Sequence, residues 1–192
     1  MVMAKHMGET ITLETAKQMM RELFLDASFA PERFGTGTFE GYRFQAEKVL
    51  DVLPELHPLH EQHYAETEDY LSGIPMDADY EAMQDSERTG TMIQFTARHI
   101  ETGELIGNMR VYIAQSRHNR QLFVTEDTFF VVPSHRGGFM AVRFWQFVEN
   151  SVRGIEGVKG VSFDSKLTNK VNVMARYLKY KPVSTRHIKL FN

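Results

Sequence analysis

Val131-Val132-Pro133-Ser134-His135-Arg136-Gly137-Gly138-Phe139-Met140-Ala141 is the stretch on which the fold turns. An apolar run ends at a proline, an Arg-Gly-Gly turn follows, and an amphipathic helix begins. Proline has no N–H to give to a sheet ladder, so the strand stops at Pro133. Beyond Gly138, Met140, Phe144, Val148 and Val152 fall on one helical stripe, with Ala141 and Trp145 beside it. Two glycines at a helix mouth let backbone N–H groups converge on one point, and the first helical N–H groups have no partner inside the helix. A strand, a glycine turn and a helix start in that order form a cradle suited to phosphate.

The order of elements supports this reading. Leu122 to Val132 reads as a long strand leading into the turn. Upstream, residues 92–99 and 105–113 alternate as strands around the turn signal Glu101-Thr102-Gly103-Glu104, which predicts a hairpin. Downstream, residues 158–163 read as a short strand, 167–178 as a helix and 182–191 as a final strand. Nearer the start, residues 11–25 have helical spacing, 31–41 read as a Gly- and Thr-rich loop, and 42–50 as a strand. Residues 52–71 and 77–88 read as helices, with Pro54 and Pro58 limiting where the first can begin. The expected class is α/β (α+β): a mixed, mostly antiparallel sheet flanked by helices. Residues 1–40 are expected to form a helix-and-loop appendage, and 41–192 a single domain.

Bulk composition narrows the function. The 192 residues are 42% hydrophobic, with 14 Phe and 7 Tyr, enough for a packed core. Cysteine is absent, so no disulfide and no thiol nucleophile exists, and a reducing, cytoplasmic compartment is expected. No apolar run reaches the roughly 20 residues of a membrane span, and Met1–His6 shows no secretory h-region. A net charge of −3 points away from nucleic acid. Between Asp51 and Glu87 there is no Lys or Arg, whereas 159–189 is strongly basic. The two regions are either solvated faces or the sites of two ligands of opposite charge.

The element order together with Val131-x-Pro133-x-x-Arg136-Gly137-Gly138 resembles the GCN5-related N-acetyltransferase (GNAT) superfamily over roughly residues 92–191. The acyl-CoA loop of that family runs Arg/Gln-x-x-Gly-x-Gly/Ala, and its three positions fall here on Ser134, Gly137 and Phe139. The run through Ala141, Arg143 and Phe144 is closer to an Arg-Gly-Gly variant common among phage-like and bacterial members. The resemblance implies an acetyl-CoA (coenzyme A) donor. Its pyrophosphate would lie on Arg136, Gly137, Gly138, Phe139, Met140 and Ala141, and its pantetheine would enter a wedge between residues 129–132 and 161–163. A backbone N–H near Val131 or Val132 would face the thioester carbonyl, and Asn169 or Asn172 the pantetheine amides. Asn169 as a plain helix cap is the other reading.

Acyl transfer to an amine needs a base, and Glu126 is the first candidate. Simple alternation places it on one face with Thr128, Phe130 and Val132, and Asp127 on the other as a second choice. A solvent-facing strand carboxylate remains the alternative. A phenol can protonate the leaving thiolate. The segment Leu178-Lys179-Tyr180 resembles the family's Leu-Gly-Phe ending, which makes Tyr180 a packing aromatic and Tyr177 the acid. His57, His60 and His63 do not share one helical face, so no metal site is expected. With the nearby carboxylates they are candidates to line a site for a cationic amine, a small molecule or a peptide. The sequence leaves the oligomeric state open, a homodimer included. The expected activity is N-acetyl transfer by a direct ternary complex. The alternative is a GNAT-like fold without catalysis, acting in binding or as a virion-associated structural protein. Departures at Ser134, Phe139 and Lys179 favour the second reading, and the kept Arg136-Gly137-Gly138 favours the first.

Overall fold

The structure is a computed structural model and describes residues 6–8, 10–16, 19, 29–68, 71, 73–166 and 171–191. Among the described residues, six strands lie in chain order in one sheet. They are β1 (Thr36–Phe39), β2 (Tyr42–Ala46), β3 (Met92–His99), β4 (Leu105–Gln115), β5 (Leu122–Val131) and β6 (Val158–Ser162). The first five are antiparallel and β6 runs parallel to β5. Among the described residues, four helices flank the sheet: α1 (Val49–Thr67), α2 (Tyr80–Arg88), α3 (Met140–Arg153) and α4 (Val171–Tyr177).

The hydrophobic stripe of α3 packs as its spacing requires. Met140, Phe144, Trp145, Val148 and Val152 are buried against Phe44, Phe95, Met109, Val111 and Val124 of the sheet. On the opposite face, Val52, Leu56 and Leu59 of α1 pack on Leu105 and Phe130, and Met83 of α2 joins Val49 and Met92. The result is a sheet between α3 on one side and α1 with α2 on the other, the mixed α/β class expected.

Three local expectations need correction. Residues 31–41, read as a loop, contain a short 3-10 turn and β1, so the sheet begins at Thr36, ahead of residue 41. The hairpin to β2 turns on Glu40 and Gly41, both at positive φ, the signature of a tight two-residue turn whose first position is usually Asn or Asp. Helix α1 begins at Val49, before both prolines, and carries Pro54 and Pro58 within it. Both rings are exposed while Val49, Val52, Leu56 and Leu59 are buried, so packing of the apolar face outweighs two missing backbone bonds. Glu87 adds a side-chain acceptor for the Val49 N–H at 3.1 Å. The final segment, 182–191, is not a strand. Its Val183 and Phe191 are exposed, and Arg186 pairs with Asp164. Of residues 11–25, 13–16 are helical and most of the remainder lies outside the described residues.

Helix α4 ends with Lys179 at φ +63°, where the Lys179 N–H reaches Arg176 O and the Tyr180 N–H reaches Ala175 O. This is the left-handed helix stop that glycine usually fills, at the position where the resembled family has glycine.

Candidate active site

The sheet opens where β5 and β6 part. Their parallel pairing ends at Thr125 with Ser162, so among the described residues Glu126 to Val131 have no strand partner on that side. On the other side β5 pairs with β4, and the Val132 N–H donates to Ile106 O at 2.8 Å. Antiparallel pairs alternate between bonded and non-bonded, so Val131, opposite Gly107, and Phe129, opposite Met109, turn their N–H groups away from β4 into the opening. This is the orientation that the Val131 assignment needs. The Val132 N–H is already taken by the ladder.

Trp145 holds the opening apart. Its indole is buried between Phe129 of β5, 4.9 Å between ring centroids, and Phe163 just after β6, at 4.6 Å. Trp145 Nε1 donates to the Tyr180 hydroxyl at 3.0 Å, and Tyr180 in turn donates to Glu149 at 3.3 Å. Burial pushes the Tyr180 phenol up to about 12. Tyr180 is a packing aromatic that seals α3 to the segment after α4.

Glu126 lies in this opening, on a face the sequence did not predict. The β4–β5 register shifts between Arg110, opposite Thr128, and Val111, opposite Glu126, so Asp127 is an inserted residue. The bulge breaks the alternation. Glu126 shares the α3 face with Val111 and Phe129, while Thr128 and Phe130 face α1. The Glu126 carboxyl is half-buried and accepts the Asp164 backbone N–H. Burial raises its pKa to about 8, helped by the charges of Asp127 and Asp164 and opposed by that N–H and by Lys166. A carboxyl that ionises near neutrality suits proton transfer.

The opposite face holds a polar layer that the sequence reading missed. Arg110 is buried and binds Asp127 Oδ2 through Nε at 2.8 Å and Nη2 at 2.7 Å, with Nη2 also on Thr128 Oγ1 at 3.0 Å. His60 Nδ1 meets the Tyr80 hydroxyl at 3.0 Å, and burial, with Arg110 nearby, lowers the His60 pKa to about 4. The His63 ring leans on Phe130, 5.6 Å between centroids, and burial lowers its pKa too. His57 is exposed. The His57 and His60 rings nonetheless both lie against Tyr80, at 5.9 and 5.7 Å between centroids. An arginine and an aspartate inside otherwise apolar strands were the available signal, since charges there require a partner.

At the phosphate turn, residues 133–135 form a 3-10 turn, and Gly138 at φ +65° leads into α3. Phe139 is the N-cap and supplies no side-chain acceptor to the first helical N–H groups. A Cβ on Gly137 or Gly138 would meet nothing within 4 Å, so the cradle is open. The Phe139 ring, half-exposed, tilts against Tyr177 at 5.9 Å, which places Tyr177 beside the turn. Arg136 was expected to face phosphate. It is instead paired with Glu66 of α1 through both Nη atoms at 2.8 and 2.6 Å, donates from Nε to Val131 O at 2.6 Å and stacks on Phe130. Asn169 lies outside the described residues, and Asn172 is exposed on α4.

No family profile matches the sequence, and neither does any curated protein. Solved structures do. A protein from Bacillus halodurans superposes with a TM-score of 0.63 at 13% identity over 77% of this chain and 99% of its own. Glucosamine-6-phosphate N-acetyltransferase from Arabidopsis thaliana gives 0.59 at 15%, covering 80% and 100%. An aminoglycoside acetyltransferase from an uncultured soil metagenomic sample, solved with sisomicin, gives 0.55 at 12%, covering 79% and 95%. The fold is that of the GNAT acetyltransferases. The parted β5 and β6, the bulge in β5 and the glycine turn at α3 are how this chain builds that GNAT fold.

Proposed function

We propose that the protein is an N-acetyltransferase of the Arg-Gly-Gly type, moving an acetyl group from acetyl-CoA to a primary amine within one ternary complex. The observation that carries this reading is the opening between β5 and β6, with Glu126 inside it and the Val131 N–H turned into it. The residues present fit a coenzyme A thioester. The uncapped start of α3, from Phe139 to Ala141, with Gly137, Gly138 and Arg136, suits its diphosphate. The Phe129 and Val131 amides suit its extended arm. The bound thioester supplies an activated acyl carbon.

Glu126 takes the proton of the incoming ammonium, directly or through one water, leaving a neutral amine lone pair to form the new C–N bond. The Val131 N–H meets the negative charge that develops on the carbonyl oxygen, an effect worth about 3 kcal/mol. As the C–S bond breaks, Tyr177 gives its proton to the departing sulfur. The chain has no cysteine thiol to accept the acyl group, which favours direct transfer. The Glu126 and Asp164 carboxyls at the opening favour a cationic acceptor.

The test is release of free thiol from acetyl-CoA in the presence of aminoglycosides, polyamines and lysine peptides. Turnover should rise with pH through about 8 as Glu126 ionises. Glu126→Gln should cut kcat by about 10²- to 10⁴-fold and abolish that limb, with the KM for acetyl-CoA nearly unchanged. Absence of any heat or thermal shift with acetyl-CoA would leave a non-catalytic GNAT-fold binding protein.

A further inference from the structure

We propose that Arg110 is a positioning residue: its clamp on Asp127 and Thr128 maintains the β5 bulge and so decides that Glu126 faces the opening. The inference rests on the acyl-transfer reading for its catalytic consequence, but its structural claim is independent of it. Were β4 and β5 paired without interruption beyond Arg110 and Thr128, Asp127 would oppose Val111 and Glu126 would oppose Tyr112. Side chains alternate strictly, so a one-residue change of register moves Glu126 to the face covered by α1 and α2. The bulge avoids this by letting Asp127 and Thr128 turn toward the same side.

Arg110 rewards only the bulged arrangement. Its guanidinium is a rigid fork. Nε and Nη2 converge on Asp127 Oδ2, Nη2 also reaches Thr128 Oγ1, and that hydroxyl donates to Asp127 Oδ2 at 3.2 Å. Nη1 sits against Met83 Sδ of α2 at 2.8 Å, so the fork is braced from behind. The guanidinium is buried, and its charge needs a carboxylate partner on that side of the sheet. The same clamp holds Asp127 on the Arg110 side of the sheet and out of the opening, which leaves Glu126 as the base. The groups that face Glu126 are Asp127 on its own strand and Asp164 and Lys166 on the segment after β6, while β4 offers the apolar Val111.

The experiment titrates the Glu126 carboxyl by ¹³C NMR in the ligand-free full chain, alongside the pH profile of kcat. Arg110→Met keeps the volume and removes the fork, and Arg110→Lys restores the charge with a single donor group. Arg110→Met should move the Glu126 titration down by about one pH unit or more, since Glu126 leaves its desolvated site. Its kcat should fall roughly 10²-fold at constant KM for acetyl-CoA, and Arg110→Lys should recover part of both. If Arg110→Met does not fold, Thr128→Val takes the hydroxyl out of the clamp at nearly constant volume without removing a charge near Glu126, and must move the titration in the same direction. A folded Arg110→Met, or failing that Thr128→Val, whose Glu126 titrates as in the wild type overturns the inference. If the wild type transfers no acyl group, the titration alone decides the clamp, and only the proposed activity fails.

Discussion

Glu126 ionises near pH 8 in the folded chain and near 4.5 when unfolded, so the native state holds a proton that the unfolded state gives up. Stability from this group is therefore fully present below about pH 4.5 and lost as pH rises through 8. His60 acts in the other direction. Its pKa falls from 6.5 to about 4, so its contribution is present above 6.5 and lost as pH falls toward 4. Glu126→Gln should remove the first loss only. In thermal melts its Tm advantage over the wild type should widen steadily from pH 5 to pH 9, and an offset independent of pH would show that the carboxyl titrates normally. The residue type at 126 was legible in the sequence, because a carboxylate inside an apolar strand asks for a reason. Its face was not. Alternation is a local rule, and the bulge at Asp127 is set by Arg110, seventeen positions away in a different strand.

Between elements, the decisive contact is the wedge that α3 drives between β5 and β6. A parallel pair left to itself would continue past Thr125 and Ser162. Trp145 prevents this by placing its ring against Phe129 and Phe163 at once. Trp145→Leu should cost about 3 kcal/mol or more through the cavity left behind and the lost bond to Tyr180. That corresponds to a fall of roughly 6–12 °C in Tm for a chain of this size. Acetyl-CoA binding measured by calorimetry should weaken beyond what the remaining folded fraction explains. A lower Tm with undiminished affinity would make Trp145 a core residue and nothing more. The stripe that seats Trp145 is fully readable from the sequence, since Met140, Phe144, Val148 and Val152 recur at helical spacing. The strand expected at 182–191 was not, because alternation creates a strand only where a neighbouring edge accepts it. Residues 40–41 failed for the opposite reason: a hairpin formed on Glu-Gly, a turn pair without the usual Asn or Asp signal.

Across the whole molecule, the acidic stretch that includes α1 is bridged to several other elements. Glu55 takes Arg98 of β3, Glu66 takes Arg136 of the phosphate turn, and Glu68 takes Lys166 beyond β6 at 2.6 Å. Of these cations only Lys166 belongs to the basic stretch read from the sequence, so that segregation is bridged once and the other two cations come from outside it. Arg136 matters most, because it joins the helix on one face to the turn that opens the helix on the other while holding Val131 O. If a diphosphate binds at that turn, Arg136 must change partners, and the Glu66 pair opposes the exchange. The pair is more than a third exposed, so it is worth only about 0.4–1 kcal/mol. Glu66→Gln should therefore tighten acetyl-CoA binding by roughly two- to fivefold, since about 1.4 kcal/mol is tenfold in affinity. Titration calorimetry at fixed ionic strength measures the change. An unaltered Kd together with a lower Tm would show that Arg136 is a strut between α1 and the turn and takes no part in holding the diphosphate.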